Sequence, residues 1–291
     1  MRITVFTSNQ PRHIALIETL ARVADTVYAV QECVTTFPGQ VDDFFRKSDV
    51  MRDYFGRVQA AEQAEFGDVR FLSSRVRSLS LKMGDLSRVA LRDLQSALAS
   101  DVFVVFGASY IRGPLCDALV ARNAINIHMG VSPFYRGSST NFWALYDNKP
   151  EYVGATIHLL TKGLDSGPIL WHAFPPTEAC DAFALGMRAV RAAHASVAQR
   201  IADRAMAAFE PVAQDRALEM RYTRNADFND EVASEYLGRL MAPDKIATRL
   251  AARPVVGLVS PWSPNCACVC PGGCKGSRPR SPDLLEFTRE A

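Results

Sequence analysis

Short apolar runs and longer amphipathic stretches alternate along the first half of the chain. Ile3 to Phe6 is strand-sized, and a polar turn from Thr7 to Arg12 separates it from Ile14, Leu16, Ile17, Leu20 and Ala21, which recur at helical spacing. Thr26 to Val30 reads as a second strand and Val69 to Leu72 as a third; the charged, aromatic region between Val41 and Phe66 is compatible with helix. Leu86 to Leu98 predicts an amphipathic helix. Asp101 to Phe106 is nearly all apolar, as a strand covered on both faces should be. Pro114 then suits a first helical turn, and Ala124 to His128 is the next strand. Strands separated in this way by helices predict an α/β fold with a Rossmann-like, doubly wound, mainly parallel sheet.

The pattern changes after His128. Residues 129–139 form a turn-rich loop, and Thr140 to Tyr146 reads as a short helix. Glu151 to Leu160 and Pro168 to Phe174 read as extended segments on either side of the turn KGLDSG. Asp181 to Phe209 predicts a long Ala-rich helix with Asp181 as its N-cap. The domain expectation is therefore a catalytic unit over 1–175, a mostly helical C-terminal extension over 176–260, and a flexible Cys/Pro/Gly/Arg tail over 261–291.

Composition narrows the class without naming a chemistry. A chain of 291 residues with 48% hydrophobic and 22% charged residues can bury a core unaided, which excludes wholesale disorder and disulfide-scaffold architectures. Lys and Arg total 33 against 31 acids, a net charge of +2, so nothing favours a nucleic-acid surface or an anionic membrane. The apolar runs are far below the ~20 residues that span a bilayer, and the opening MRITVFTSNQ lacks a signal pattern, so a cytoplasmic location is expected. Of seven cysteines, Cys266, Cys268, Cys270 and Cys274 form C-x-C-x-C-x₃-C, without the paired spacing usual for structural zinc. A flexible tail is expected there, with metal binding as the other reading and no part in the chemistry.

The candidate chemistry lies between Asn123 and Leu170. Asn126 and His128 are two apart at the end of an apolar strand, so their side chains share a face. Carboxyl ends of strands open into the ligand crevice of α/β sheets. An imidazole beside a neutral donor is what acyl transfer requires. Asp165 sits in a Gly-flanked turn that can aim a carboxylate inward, where it would fix the imidazole tautomer. Each residue also has an ordinary structural reading, as a half-buried histidine, a strand-end amide and a turn former. Spacing alone does not bring the three together. No Gly-x-Gly-x-x-Gly or P-loop pattern occurs, which leaves dehydrogenase and NTPase readings without support.

The ordered motifs of this segment resemble the folate-dependent formyltransferase family, which includes methionyl-tRNA formyltransferase, glycinamide ribonucleotide transformylase and the sugar N-formyltransferases. That family carries an Asn-x-His strand end, a loop of the form HPSLLPxYRG and an extended VTVHxVxxxxDxGPI segment. Here these stand as Asn126-Ile127-His128, HMGVSPFYRG (His128 to Gly137) and GATIHLLTKGLDSGPIL (Gly154 to Leu170). His158 matches the second, non-catalytic histidine, and Met129-Gly130 replaces the usual Pro-Ser. The resemblance covers roughly 1–175. It implies the formyltransferase fold, 10-formyltetrahydrofolate as cosubstrate with no metal required, and Asn126, His128 and Asp165 as the catalytic set. By position, folate contacts would come from Phe106, Gly107, Ala108, Tyr110, Leu160, Gly163 and Leu164. The loop residues Ser132, Tyr135, Arg136 and Ser138 would contact the acceptor, or else form a structural turn.

The acceptor is less legible. Residues 176–291 lack evenly spaced strand signals, and Glu219 to Glu231 loosely resembles the stretch after the core in sugar N-formyltransferases. A nucleotide-linked amino sugar is the first expectation. The others are a hydroxyornithine-type siderophore precursor, methionyl-tRNA, water in a 10-formyltetrahydrofolate hydrolase, or no reaction in a folate or nucleotide-sugar binder. Arg221 and Arg224 read either as contacts to a substrate phosphate or as solvated surface. Partners are expected to be small molecules, with no nucleic acid and no membrane, and the assembly is open, a homodimer included.

Overall fold

The computed structural model describes residues 1–36 and 48–264. Seven strands form one sheet: β1 (Arg2–Ser8), β2 (Thr26–Cys33), β3 (Val76–Lys82), β4 (Val102–Val105), β5 (Ile125–Met129), β7 (Ala155–Leu159) and β8 (Ile169–Ala173), in the order β3-β2-β1-β4-β5-β7-β8. The first five are parallel, while β7 runs antiparallel to both β5 and β8. This is the predicted doubly wound, mainly parallel sheet. A separate parallel pair joins β6 (Tyr135–Gly137) to β9 (Arg221–Thr223).

The alternation of side chains along the strands decides which helices each face receives. Ile3, Val5, Val104, Ile125, Ile127 and Ile157 point to one face and pack against helix α1 (Pro11–Ala21) and helix α6 (Ala182–Ala202). Phe6, Val30, Phe103 and Val105 point to the other, against Leu94, Leu115 and Leu119. Leu115 and Leu119 belong to α4 (Gly113–Val120). Since Ile125 and Ile127 take the first face, Asn126 and His128 must take the second. A third cluster joins α5 (Thr140–Tyr146) to α7 (Asp230–Gly238) and α8 (Pro243–Ala251) through Phe142, Trp143, Tyr236, Ile246 and Leu250.

Several expectations are corrected. The third strand is β3 and not Val69 to Leu72, where Val69 is half-exposed and Phe71 fully exposed. A strand on the sheet edge gains from polar alternation, and VRSLSLK has it. Leu86 to Leu98 is two 3₁₀ turns (Leu86–Arg88 and Leu91–Leu94) and the single-turn α3 (Gln95–Leu98), because Val89 and Ala90 take extended backbone between them. The charged region yields α2 (Asp49–Phe66), capped by Ser48. Asp181 caps α6 as expected, its carboxylate accepting from the amides of Phe183 and Ala184 at 2.8 and 3.0 Å, but the helix stops at Ala202 and not at Phe209.

Packing also runs past residue 175. Val190, Ala193, Val197 and Ile201 of α6 lie in the same core as the sheet, so this helix is a layer of the α/β body. Residues 261–264, expected within a flexible tail, lie on the edge strand β8. Trp262 N–H donates to the His172 carbonyl at 2.8 Å, and Phe174 N–H donates to the Trp262 carbonyl at 2.9 Å. The rest of that tail, with the cluster Cys266, Cys268, Cys270 and Cys274, lies outside the described residues. Among the described residues, no helix is long and apolar enough to cross a membrane, and no group of three His, Cys, Asp or Glu is placed to hold a metal.

Candidate active site

Antiparallel pairing of β5 with β7 sets Asn126 directly opposite His158 and His128 opposite Thr156. The loop after β7 then folds back over the strand end. Gly167 makes this possible: a Cβ there would stand 1.8 Å from the Leu159 carbonyl oxygen and 2.8 Å from His158 Nδ1. Asp165 takes a left-handed conformation, φ +44°, which carries its side chain back over β5.

The sequence-predicted trio converges there. Asn126 Nδ2 donates to Asp165 Oδ1 at 3.0 Å and to His158 Nε2 at 3.0 Å. An amide nitrogen only donates, so His158 Nε2 is the acceptor and carries no proton. His158 Nδ1–H then donates to the Leu159 carbonyl at 2.8 Å, which leaves this histidine neutral. Asp165 Oδ2 lies 3.4 Å from His128 Nδ1. Nε2 of His128 is buried and has no protein partner. Burial alone would push the Asp165 carboxyl up, but the charge and hydrogen bond of His128 outweigh it. The carboxyl is held well below the usual carboxylate range.

Two cavities meet at this pair, and both are lined by His128, Gly137, Gly163, Leu164 and Asp165. The first, about 520 Å³, continues along the loop after β4 and contains every residue predicted to touch folate: Phe106, Gly107, Ala108, Tyr110, Leu160, Gly163 and Leu164. Tyr54, Phe55, Phe142 and Phe228 give its far end an aromatic wall that the sequence did not signal. The second, about 500 Å³, is the more polar of the two, with Ser132, Arg136, Ser166, Arg216, Glu219 and Tyr222 on its wall.

Of the predicted acceptor contacts, Ser132 and Arg136 line the second cavity, whereas Tyr135 and Ser138 line neither. Tyr135 is buried, its hydroxyl donating to Asp147 at 3.1 Å. Ser138 is occupied as backbone, its N–H bonded to the Thr223 carbonyl at 3.0 Å and its carbonyl accepting from Thr223 Oγ1 at 2.8 Å. Arg221 forks onto Asp147 at 2.7 and 3.0 Å and stacks on Trp143, so its role is structural. Arg224 lines neither cavity.

Two positions unread in the sequence hold the site's loops. Glu32, at the end of β2, is fully buried. Its carboxylate accepts from the amides of Gly84, Leu86 and Ser109 and from the Ser109 hydroxyl, at 2.6 to 3.1 Å. That anchors the 107–111 loop. The Tyr110 hydroxyl donates to the Lys162 carbonyl and ties the same loop to the one carrying Asp165. Gln214 reaches the Asp165 loop from beyond α6, donating to the carbonyls of Asp165 and Gly167 at 2.9 Å each.

Methionyl-tRNA formyltransferase of Synechococcus sp. (strain JA-3-3Ab) is 38% identical over 82 residues, covering 28% of this chain and 25% of that protein. Phosphoribosylglycinamide formyltransferase of Escherichia coli (strain K12) is 36% identical over 83 residues, 28% of this chain and 39% of that protein. The chain thus matches about a quarter of the length of the first of these and well under half of the second. Among solved structures, a 4-N formyltransferase from Francisella tularensis superposes with a TM-score of 0.48 at 14% identity, over 78% of this chain and 77% of that one. A sugar N-formyltransferase from Shewanella sp. FDAARGOS_354 gives 0.46 at 16% identity, over 91% and 93%. A family model described as formyl transferase matches residues 1–201, from β1 through α6, and the chain belongs to that family.

Proposed function

We propose that this chain transfers a formyl group from 10-formyltetrahydrofolate to the amine of a small acceptor, with Asn126, His128 and Asp165 at the reacting atoms. One observation carries the reading: two cavities of unlike character meet on the His128–Asp165 pair. Folate suits the first cavity, where Phe106, Tyr110, Leu160 and Leu164 offer apolar and aromatic surface to a flat heterocycle. A hydroxyl-rich acceptor suits the second. The loop residues beside it, including Ser138, are left to shape its mouth.

Bound 10-formyltetrahydrofolate supplies an activated formyl carbon. The acceptor's uncharged amine bonds to that carbon, the bond from carbon to the folate nitrogen breaks, and the proton lost by the amine ends on that nitrogen. Between these events the formyl oxygen carries negative charge. His128 sets Nδ1 3.4 Å from Asp165 Oδ2, and its Nε2, without a protein partner, can donate to that oxygen when protonated, the carboxylate balancing the imidazolium. Asn126 has both amide hydrogens committed, so it assists by turning one of them from Asp165 or His158 to the oxyanion. Asp165, held ionised, relays the amine proton through His128 or water. No protein nucleophile is required.

A nucleotide-linked amino sugar is the acceptor class this reading places first. The net charge of +2 is small for a tRNA-sized polyanion, and Arg136, Arg216, Ser132 and Ser166 suit phosphate and sugar hydroxyls. Among the described residues beyond α6, the sole strand is the three-residue β9, which gives no sign of an appended barrel. Methionyl-tRNA is the second reading, favoured by the names of the matched relatives. Incubation with 10-formyltetrahydrofolate and, in parallel, nucleotide amino sugars, N-hydroxyornithine and methionyl-tRNA separates them. Tetrahydrofolate release that depends on one amine, with a formylated product by mass, identifies the acceptor. Formate release without any amine would replace transfer by hydrolysis.

A further inference from the structure

Gln214 lies beyond the region the family model matches, in a segment fastened to β8 by a bridge between Val212 and Ile169 (2.7 and 2.8 Å). Its side-chain Nε2 gives both hydrogens to one loop, at the Asp165 and Gly167 carbonyls. The amide cannot be reversed, since Oε1 would then face two carbonyl oxygens. That Oε1 is buried without a partner, so the contact is built for donation alone. The loop needs a constraint of this kind: Asp165 is held at φ +44°, a conformation that disfavours a residue with a Cβ by roughly 1 kcal/mol.

We propose that Gln214 is the positioning residue that keeps the Asp165 carboxylate on His128 and Asn126, so that the segment after α6 sets the geometry of the reaction centre. Without its two hydrogens the loop relaxes toward ordinary backbone angles. Asp165 Oδ2 then withdraws from His128 Nδ1, and Oδ1 from Asn126 Nδ2. The walls that other elements give both cavities are left in place, and Gly163 and Leu164 shift only with the loop.

The kinetic arm rests on the formyl-transfer reading; a second arm does not. Gln214→Met keeps the length and volume and removes the donors, while Gln214→Glu sets a carboxylate against the two carbonyls. Both should lower kcat by about 10- to 100-fold, the cost of a misplacement near 1 Å, with each KM within about threefold of the parent. In both, amide hydrogen–deuterium exchange over 163–167 should quicken while the exchange of the β1 and β4 core stays as in the parent. Unchanged exchange over 163–167 in Gln214→Met overturns the proposal. So does faster exchange with unchanged kcat, or a loss carried by KM together with core exchange. A parent protein that transfers no formyl group sinks the functional reading instead, and the exchange arm still decides whether Gln214 holds the loop.

Discussion

Asn126 is a tightly held polar side chain of the site, 9% exposed and bonded to His158 and Asp165 at once. Replacing it with alanine removes a donor from the developing oxyanion and should lower kcat by about 10²–10³. His128→Ala and Asp165→Ala should each lower kcat by at least a similar order, with thermal midpoints near the parent's; near-parent turnover by any of the three would refute the assignment. Asn126→Asp is a sharper probe, because it brings a second carboxylate against Asp165. The pair would then share a proton, and the variant should be inactive at neutral pH. The alternation of β5 made Asn126 and His128 legible as neighbours on one face, and the Gly-flanked turn made Asp165 a candidate partner. Gln214 was not legible, because its contact is made to backbone 49 residues away, where no side-chain pattern exists to read. Tyr135, buried on Asp147, fits the structural-turn alternative; an aromatic residue in a loop motif resembles a ligand contact until its packing is seen.

At the scale of elements, two strand ends are tied to the loops they support. Glu32 joins β2 to the 107–111 loop through the amide and hydroxyl of Ser109, and to the turn after β3 through the amides of Gly84 and Leu86. Glu32→Gln turns one acceptor into a donor facing those amides. It should cost about 2–4 kcal/mol in urea unfolding and raise the KM for 10-formyltetrahydrofolate more than it lowers kcat. Gly167→Ala should displace the Asp165 loop from His158 and abolish turnover, with a smaller effect on the unfolding midpoint. The fold's order was readable because four strands, β1, β2, β4 and β5, are apolar runs between helices. The exceptions have local causes. β3 is a half-polar edge strand outscored by the apolar residues before it, and the 86–98 stretch buries Leu86 and Leu94 from separate turns although their spacing suits one helix.

Across the whole molecule, three buried histidines make stability depend on pH. Burial lowers His172 to about 4 and His194 to about 3, and pushes His13 well down, from an ordinary value of 6.5. The folded values lie below the unfolded one, so the unfolded chain binds protons first on acidification. The stability is fully present above about pH 6.5 and is lost progressively as pH falls toward the folded values. Near pH 5 each such histidine should cost about 2 kcal/mol, and together they should lower Tm by on the order of 10 °C relative to neutral pH. His194, with an unpartnered Nε2 between the Phe66 and Phe106 rings, is the cleanest of the three to remove. His194→Leu should lose measurably less Tm over the same range, and an identical slope would contradict the assignment.

The layers of this α/β body end with α6, and the segments after it return to the site, Gln214 to the Asp165 loop, Arg216, Glu219 and Tyr222 to one cavity and Phe228 to the other. This is why the sequence revealed the chemistry sooner than the acceptor: the reaction centre lies on one strand and one turn, whereas the second cavity is assembled from distant segments. The central claim is amine-dependent formyl transfer at the His128–Asp165 pair. Its most direct test follows tetrahydrofolate release by absorbance, with 10-formyltetrahydrofolate and a panel of nucleotide amino sugars, for the parent and His128→Ala. The account predicts release that requires one of the amines, a product heavier by one formyl group, and loss of both in the variant. Release that no amine stimulates, or that survives in His128→Ala, would contradict it.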